Sequence, residues 1–407
     1  MIWKFKRLGV LLVITALVVN IWAVGLPSHS VEAASKKIYT ISATSKPINK
    51  KMLKYSTYNK YTKQYYLIRS YLEKLEKAGG GTLVLKKGTY TISNVLYVPS
   101  NVTIKMKNGV KMVKGTKTGT KKFSASKSIF QLIRPSKAHK KGVYGKYNGE
   151  KNITIQGEGT VTIDLKYIKD SLAIIMGHNQ NVLVENIHFK NMYSGHFIEM
   201  DASKNVEIFN NSFTDSKVSP NVNKEAINLD TPDKSTNGWS QKWSKYDKTP
   251  NENVFIEYNI FDQLDRAVGT HKYSEGKYHE NVVIRNNSIM NTRSDAIRVM
   301  NWSNPIIEEN TIENVADGAP GKRGVLASGV INPIFQNNVF NNVGRTFQFI
   351  AWKNTGSGAQ YDITYNILTD ENKAALQTNK ATNVSETIIR INNEYNEYRR
   401  STEIVKF

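Results

Sequence analysis

Four six-residue segments of this chain place ionisable residues at matching offsets. They are His196-Phe-Ile-Glu-Met-Asp201, Glu225-Ala-Ile-Asn-Leu-Asp230, Arg266-Ala-Val-Gly-Thr-His271 and Asp295-Ala-Ile-Arg-Val-Met300. Laid over one another, the first positions read His196, Glu225, Arg266, Asp295. The fourth read Glu199, Asn228, Gly269, Arg298, and the sixth Asp201, Asp230, His271, Met300. If the segments stack as neighbouring strands, equivalent positions lie about 4.8 Å apart, and one face collects acids, imidazoles and guanidinium groups. Two kinds of sugar chemistry use such a set. Glycoside hydrolysis needs two carboxyls, and their separation decides inversion or retention. Glu225 with Asp265 or Asp295 would sit one or two strands apart, roughly 5–10 Å, and this route requires no cofactor. Elimination from a uronic acid needs a base for the C5 proton and cations for the charge that develops. There His271 or His196 is the base, and Arg266, Lys272 and Arg298 neutralise the sugar carboxylate. Glu199, Asp201 and Asp230 would then be oxygen donors for Ca²⁺, a hard ion, although no Asp-x-Asp-x-Asp loop is present. A purely structural ladder, with its charges paired from strand to strand, is the alternative.

The elements that must position these residues are visible as a repeat. Asn281-Val-Val-Ile-Arg-Asn-Asn-Ser-Ile289 recurs in the segments beginning at Asn181, Asn205, Asn253, Asn304 and Asn332, with weaker copies at Asn101, Asn152, Tyr361 and Asn383. Starts at 181, 205, 253, 281, 304, 332 and 361 are spaced by 24, 48, 28, 23, 28 and 29, and the 48 reads as two coils' worth of chain. Each copy alternates apolar and polar residues, as a short strand with one inward face does. Asparagine follows, a residue that tolerates the left-handed backbone of a sharp turn. Stacking predicts a ladder of Asn186, Asn211, Asn259, Asn287, Asn310 and Asn338. Beside it comes an interior stack of Phe189, Phe213, Phe261, Ile289, Ile312 and Phe340. No coil of this kind buries its apolar face alone, so the pattern predicts a β-solenoid of about ten coils.

Composition bounds the setting. Lys4, Lys6 and Arg7 precede an apolar run from Leu8 to Leu26, and small residues flank Val31-Glu-Ala33, so residues 1–33 read as a signal peptide cleaved after Ala33. An uncleaved membrane anchor is the other reading of that run. The chain has no cysteine, which excludes disulfides and a lipoprotein anchor. Formal net charge is +22, and removing Lys4, Lys6, Arg7 and Glu32 leaves +20. The excess is local: from Lys86 to Lys151 there are sixteen Lys/Arg and a single acid, Glu150. Such a face suits an acidic polysaccharide or anionic cell-wall polymer. Nucleic acid is not expected, because the chain reads as exported and the region carries no recognised nucleic-acid module.

Residues 34–64 read as an extended basic leader. Tyr65, Ile68, Leu72 and Leu75 follow helical spacing and end at Gly79-Gly-Gly81. Gly88-Thr-Tyr90 and Ser100-Asn-Val-Thr-Ile104 come next. This order of helix, glycines, strand, "G-x-Y" turn and "S-N-V-x-I" resembles the N-terminal entry of right-handed parallel β-helix proteins of the pectin-lyase-like superfamily. With the asparagine coils the resemblance covers residues 65–395 and leaves 396–407 as a tail. It implies an all-β, right-handed parallel β-helix with an N-terminal capping helix. The reaction is not implied, since lyases, hydrolases, epimerases and adhesins share this fold. The polygalacturonase branch carries "N-T-D", "D-D", "G-H-G" and "R-I-K" in consecutive coils. Lys224-Glu225, Asp265-Arg266 and Asp295-Ala-Ile-Arg298 stand in comparable places without spelling those motifs.

Two long excursions, 116–150 and 231–250, are expected to wall a groove. Trp239, Trp243 and Tyr246 in the second, with Trp302 after a later strand, are candidates to stack on sugar rings. His139, His178, His188 and His279 show no metal spacing. The combined reading is a secreted, monomeric carbohydrate-active enzyme cleaving an acidic polysaccharide. The alternative is a non-catalytic β-helix adhesin or polyanion-binding wall protein.

Overall fold

In the computed structural model, residues 37–353, 362–386, 388–392, 395 and 403–405 are described. The signal segment 1–33 lies outside them, as does most of the tail. Short strands recur in threes along the chain and assemble into three long sheets. Among the described residues all strand pairs are parallel except one, in which Glu403–Val405 runs antiparallel to Ile389–Ile391. This is a right-handed parallel β-helix. Each coil contributes one strand to each sheet, and the interior is a continuous apolar column. Phe189, Phe213 and Phe261 stack face to face, with centroids 4.9 and 5.0 Å apart. Ile289, Ile312 and Phe340 continue the column in register.

The asparagine ladder forms, with two changes. Asn211, Asn259, Asn287, Asn310 and Asn338 each donate a side-chain amide to the next asparagine, and Asn379 extends the row as the last acceptor. Asn186 is not part of it. The residue beside Asn211 in the preceding coil is Ile187, whose N–H donates to Asn211 Oδ1 at 3.1 Å. Asn186 belongs instead to an outer row with Asn210, where the backbone is left-handed. The 48-residue interval is one coil and not two, because Lys204–Phe209 pairs directly with Glu252–Glu257. The surplus is the excursion 231–250, inserted within that coil.

The helix Lys63–Lys77 buries Tyr66, Leu67, Ile68, Leu72 and Leu75 against the first coil, as expected of a cap. The stretch read as an extended leader is largely folded. Ile38–Ile41 pairs with Gly81–Leu85, and a 3-10 turn, Lys50–Lys54, buries Met52. Pairing there occupies the outer edge of the first coil, which would otherwise present unpaired backbone groups. Near the other end, Asp370–Leu376 is a helix with a Thr369 capping box. Its Asn372 amide donates to Asn332 Oδ1 at 3.1 Å.

Candidate functional site

The sheet containing Leu172–Gly177, His196–Asp201, Glu225–Asp230, Arg266–Gly269 and Ile297–Met300 carries the candidate residues. Its register matches the alignment made from sequence: Glu199 pairs with Asn228, Asp201 with Asp230, Glu225 with Arg266, and Gly269 with Arg298. The inward residues Ile198, Ile227, Val268 and Ile297 fill the core, leaving the ionisable columns on the outer face.

Both excursions pack over this face. Gly142 and Val143 donate backbone N–H groups to Lys242 and Trp243 carbonyls, and Lys245 donates to Tyr144. Beneath this seam Ile133, Ala138, Tyr144, Ile175, Trp239 and Trp243 form a second apolar cluster. Gly177 permits the contact: a Cβ there would meet the Trp239 ring at 2.7 Å. Glu150, fully buried, anchors the first excursion through Arg134, Tyr144 and Ser100. The second excursion and the sheet enclose a cleft of about 250 Å³. On its sheet side lie His196, Glu199, Asn228, Asp230 and His271, with Lys224 and Lys272 flanking them. Asn237 to Gln241, including Trp239, form the loop side.

The first column is an ion-pair chain. Arg266 Nη1 sits 2.5 Å from Glu225 Oε1, and Arg266 Nη2 lies 3.7 Å from Asp295 Oδ2. Arg323 Nε lies 2.9 Å from Asp295 Oδ1. Burial pushes the Glu225 carboxyl up, but Arg266, with His271 and His196 beside it, holds it well below the ordinary range. The other Glu225 oxygen faces His271 Nδ1 at 3.7 Å and His196 Nδ1 at 4.0 Å, beyond hydrogen-bond reach. His196 Nδ1 is held 2.6 Å from the Glu225 carbonyl, and burial lowers its pKa to about 4, so the ring is neutral at pH 7.

The remaining acids behave in the opposite way. Burial, reinforced by repulsion from Asp230, holds the Glu199 and Asp201 carboxyls well above the usual range. Asp230 is raised to about 6, against the pull of His271 and of the Lys272 N–H that it accepts at 2.6 Å. Asn228 donates to Glu199 Oε1 at 3.1 Å.

Several expected roles do not fit this geometry. Asp265 is turned to Arg293, at 2.8 Å, and to the Ser219 N–H, at 3.1 Å, away from the cleft. Asp295 is occupied by two arginines, and neither it nor Arg298 lines the cleft. Arg298 stands over the Trp352 ring instead. Trp302 is an interior residue whose indole donates to Thr270 Oγ1 at 2.7 Å. Trp243 lies under Trp239, 1% exposed, and reaches Gln131. Glu199, Asp201 and Asp230 occupy successive positions along two strands and do not surround one point. Among the described residues no group of three or more His, Asp or Glu side chains is placed to hold a metal ion.

Sequence reasoning missed Lys224 and Asn228 as cleft residues, and Arg293 and Arg323 as partners. Lys224 immediately precedes a matched column, and that adjacency was the available signal. The basic stretch is exposed at Lys86, Lys87, Lys111, Lys117, Lys121 and Lys122. Lys105 and Lys107 are spent on Glu158. Lys114 is buried among the carbonyls of Ile92, Ser93 and Gly115, and burial lowers it to about 8.

This architecture, with its three parallel sheets and asparagine ladder, is the right-handed parallel β-helix fold. A family model described as right handed beta helix region matches residues 249–393. The plasmin and fibronectin-binding protein A of Streptococcus pneumoniae is 24% identical over 265 residues, covering 59% of this chain and 35% of that relative. The chain thus matches about a third of the relative's length. The solved structure of the Streptococcus pneumoniae surface protein and adhesin PfbA superposes with a TM-score of 0.55 at 15% identity. That match covers 87% of this chain and all of the other. A second PfbA structure gives 0.54 at 16% identity, over 86% of this chain and 92% of that one.

Proposed function

We propose that this chain is an extracellular, surface-acting β-helix binding protein of the adhesin kind, and that its cleft takes an acidic group of a glycan or anionic cell-wall polymer. The observation that carries this reading is the commitment of the carboxylates a glycosidase would use. Glu225 is locked to Arg266, Asp295 to Arg266 and Arg323, and Asp265 to Arg293. The cleft wall carries two ammonium groups, Lys224 and Lys272, beside the neutral ring of His196, the amide of Asn228 and the carboxyls of Glu199 and Asp230, whose pKa values are raised. Such a set suits binding an anion by charge and hydrogen bonds. The name of the streptococcal relative agrees with a binding role, and it adds plasmin and fibronectin to the partners worth testing.

A hydrolase or lyase is the second reading, favoured by one observation. Asp230, raised to about 6, and Glu199, held well above the usual carboxylate range by burial, share a cleft, the kind of arrangement acid–base catalysis uses. A panel of uronic-acid polymers separates the two, followed at once for binding, reducing ends and absorbance of an unsaturated product. Salt-sensitive binding without either product supports the binding protein. Reducing ends alone establish a hydrolase, and both signals together a lyase.

A further inference from the structure

A second groove lies at the turn between the other two sheets, away from the cleft. It has a volume of about 680 Å³, within the range of ligand sites. One wall is a widened turn. Lys151–Gly157 and Thr162–Asp164 are separated by Glu158 to Val161, whereas the next coils pass from Glu185 to His188 and from Phe209 to Ser212 with two residues between. Asn186, Ile187, His188, Asn210 and Ser212 line the groove between its walls. The far wall is Tyr258, 52% exposed, followed by Ile260, 48% exposed.

Tyr258 occupies an unusual place. The outer row of turn residues, Asn186, Asn210 and Asn286 among them, is left-handed, and asparagine is suited to that backbone. Tyr258 stands in the same row with φ 56°, a conformation a bulky aromatic rarely adopts. Its ring meets Phe209 edge to face, with centroids 5.4 Å apart. The turn therefore accepts backbone strain and presents an aromatic surface to solvent at the lip of the groove, a pattern that favours a binding role.

We propose that this groove is a second glycan subsite, separate from the cleft, which takes a short run of uncharged sugar residues with one ring on Tyr258. Charge selects the ligand class. Glu158 is the one acid among the lining residues, and Lys105 and Lys107 neutralise it. Burial, with Lys190 nearby, holds His188 below its ordinary range, so it meets hydroxyls as a neutral ring. Its Nε2 is engaged with Thr214 at 2.9 Å. The groove crosses about three coil rises, roughly 14 Å, enough for an oligosaccharide.

The test is calorimetric titration of the full chain with neutral hexasaccharides of glucose, mannose, galactose and N-acetylglucosamine. Tyr258→Asn is the decisive variant: it removes the ring and supplies the residue its neighbours use in that backbone, so the fold is kept or stabilised. The expected result is binding of at least one hexasaccharide by the parent. Tyr258→Asn should weaken it about tenfold or more, Tyr258→Phe should retain it, and Lys272→Ala should leave it unchanged. Absence of binding to all four sugars overturns the proposal, as does binding indifferent to Tyr258→Asn. Binding lost with Lys272→Ala would move the sugar to the cleft and overturn it too. Failure here leaves the acidic-glycan reading intact, because that rests on the other face.

Discussion

Arg266 reaches from one coil to the next and holds Glu225 by a hydrogen-bonded ion pair of 2.5 Å, both side chains buried. Breaking such a pair leaves an uncompensated charge away from water. Glu225→Gln is expected to cost about 3–5 kcal/mol in a urea denaturation. Replacing both residues by methionine is expected to recover most of that loss, since apolar substitutes strand no charge. A Glu225→Gln protein as stable as the parent would show that the pair contributes nothing net. Loss of function in that single variant therefore has to be read beside its stability.

Asp201 presents the reverse case. Its carboxyl is wholly buried beside Glu199, and its pKa is held well above the ordinary range by burial, by Glu199 and by Asp230. The folded chain keeps a proton that the unfolded chain releases above its usual value of about 3.9. Stability from this group is thus complete below that value and declines as pH rises towards the folded pKa. Asp201→Asn is expected to stabilise the protein at pH 7 by about 1–3 kcal/mol, with no gain near pH 3.5. Equal effects at the two pH values would refute the assignment.

Asn287 satisfies several groups at once. It donates to the carbonyls of Ile256 and Arg285 and to Asn310, and it accepts from the Asn259 N–H at 2.9 Å. Asn287→Ala strands buried backbone groups in two coils, each worth about 1–3 kcal/mol. The melting temperature should fall sharply, and amide exchange should accelerate first in the coils beside residue 287.

Lys224 and Lys272 flank the cleft, with Glu199 and Asp230 in its wall. Lys272→Ala and Lys224→Ala are each expected to weaken oligogalacturonate binding about tenfold, the loss of one charge-assisted contact. Parent binding should itself fall as salt rises past the range where the Debye length is about 8 Å. Titration at two ionic strengths checks both. Unchanged affinity in either variant removes that lysine from the site.

How much of this was legible depended on what repeats. The turn asparagines and the apolar residue two places on recur at fixed offsets, so Phe189, Phe213 and Phe261 could be stacked from sequence, and the columns from His196 to Asp295 fell into true register. A single-residue ambiguity misplaced Asn186, because Asn-Ile stands there where Asn-Asn stands in the next coil. The 48-residue interval misled because an insertion and an additional coil have the same length. Ile38–Ile41 was missed because it pairs with the first coil without carrying the repeat. The site was less visible than the fold. Charges were seen to share a face, but their partners Arg293 and Arg323 lie at other offsets. Nothing in the pattern around Trp302 distinguishes an indole turned to Thr270 from one turned to solvent.

The reversed strand Glu403–Val405 has a consequence for self-assembly. Parallel rungs exposed at the end of a solenoid are a template on which another copy can continue the stack, giving fibres. A strand running the other way on Ile389–Ile391 occupies the rung where such growth would begin. Opposite it, Ile38–Ile41 occupies the first rung of a different sheet. Chains shortened to residue 392 should therefore elongate end to end with time and concentration, while the full chain stays dispersed.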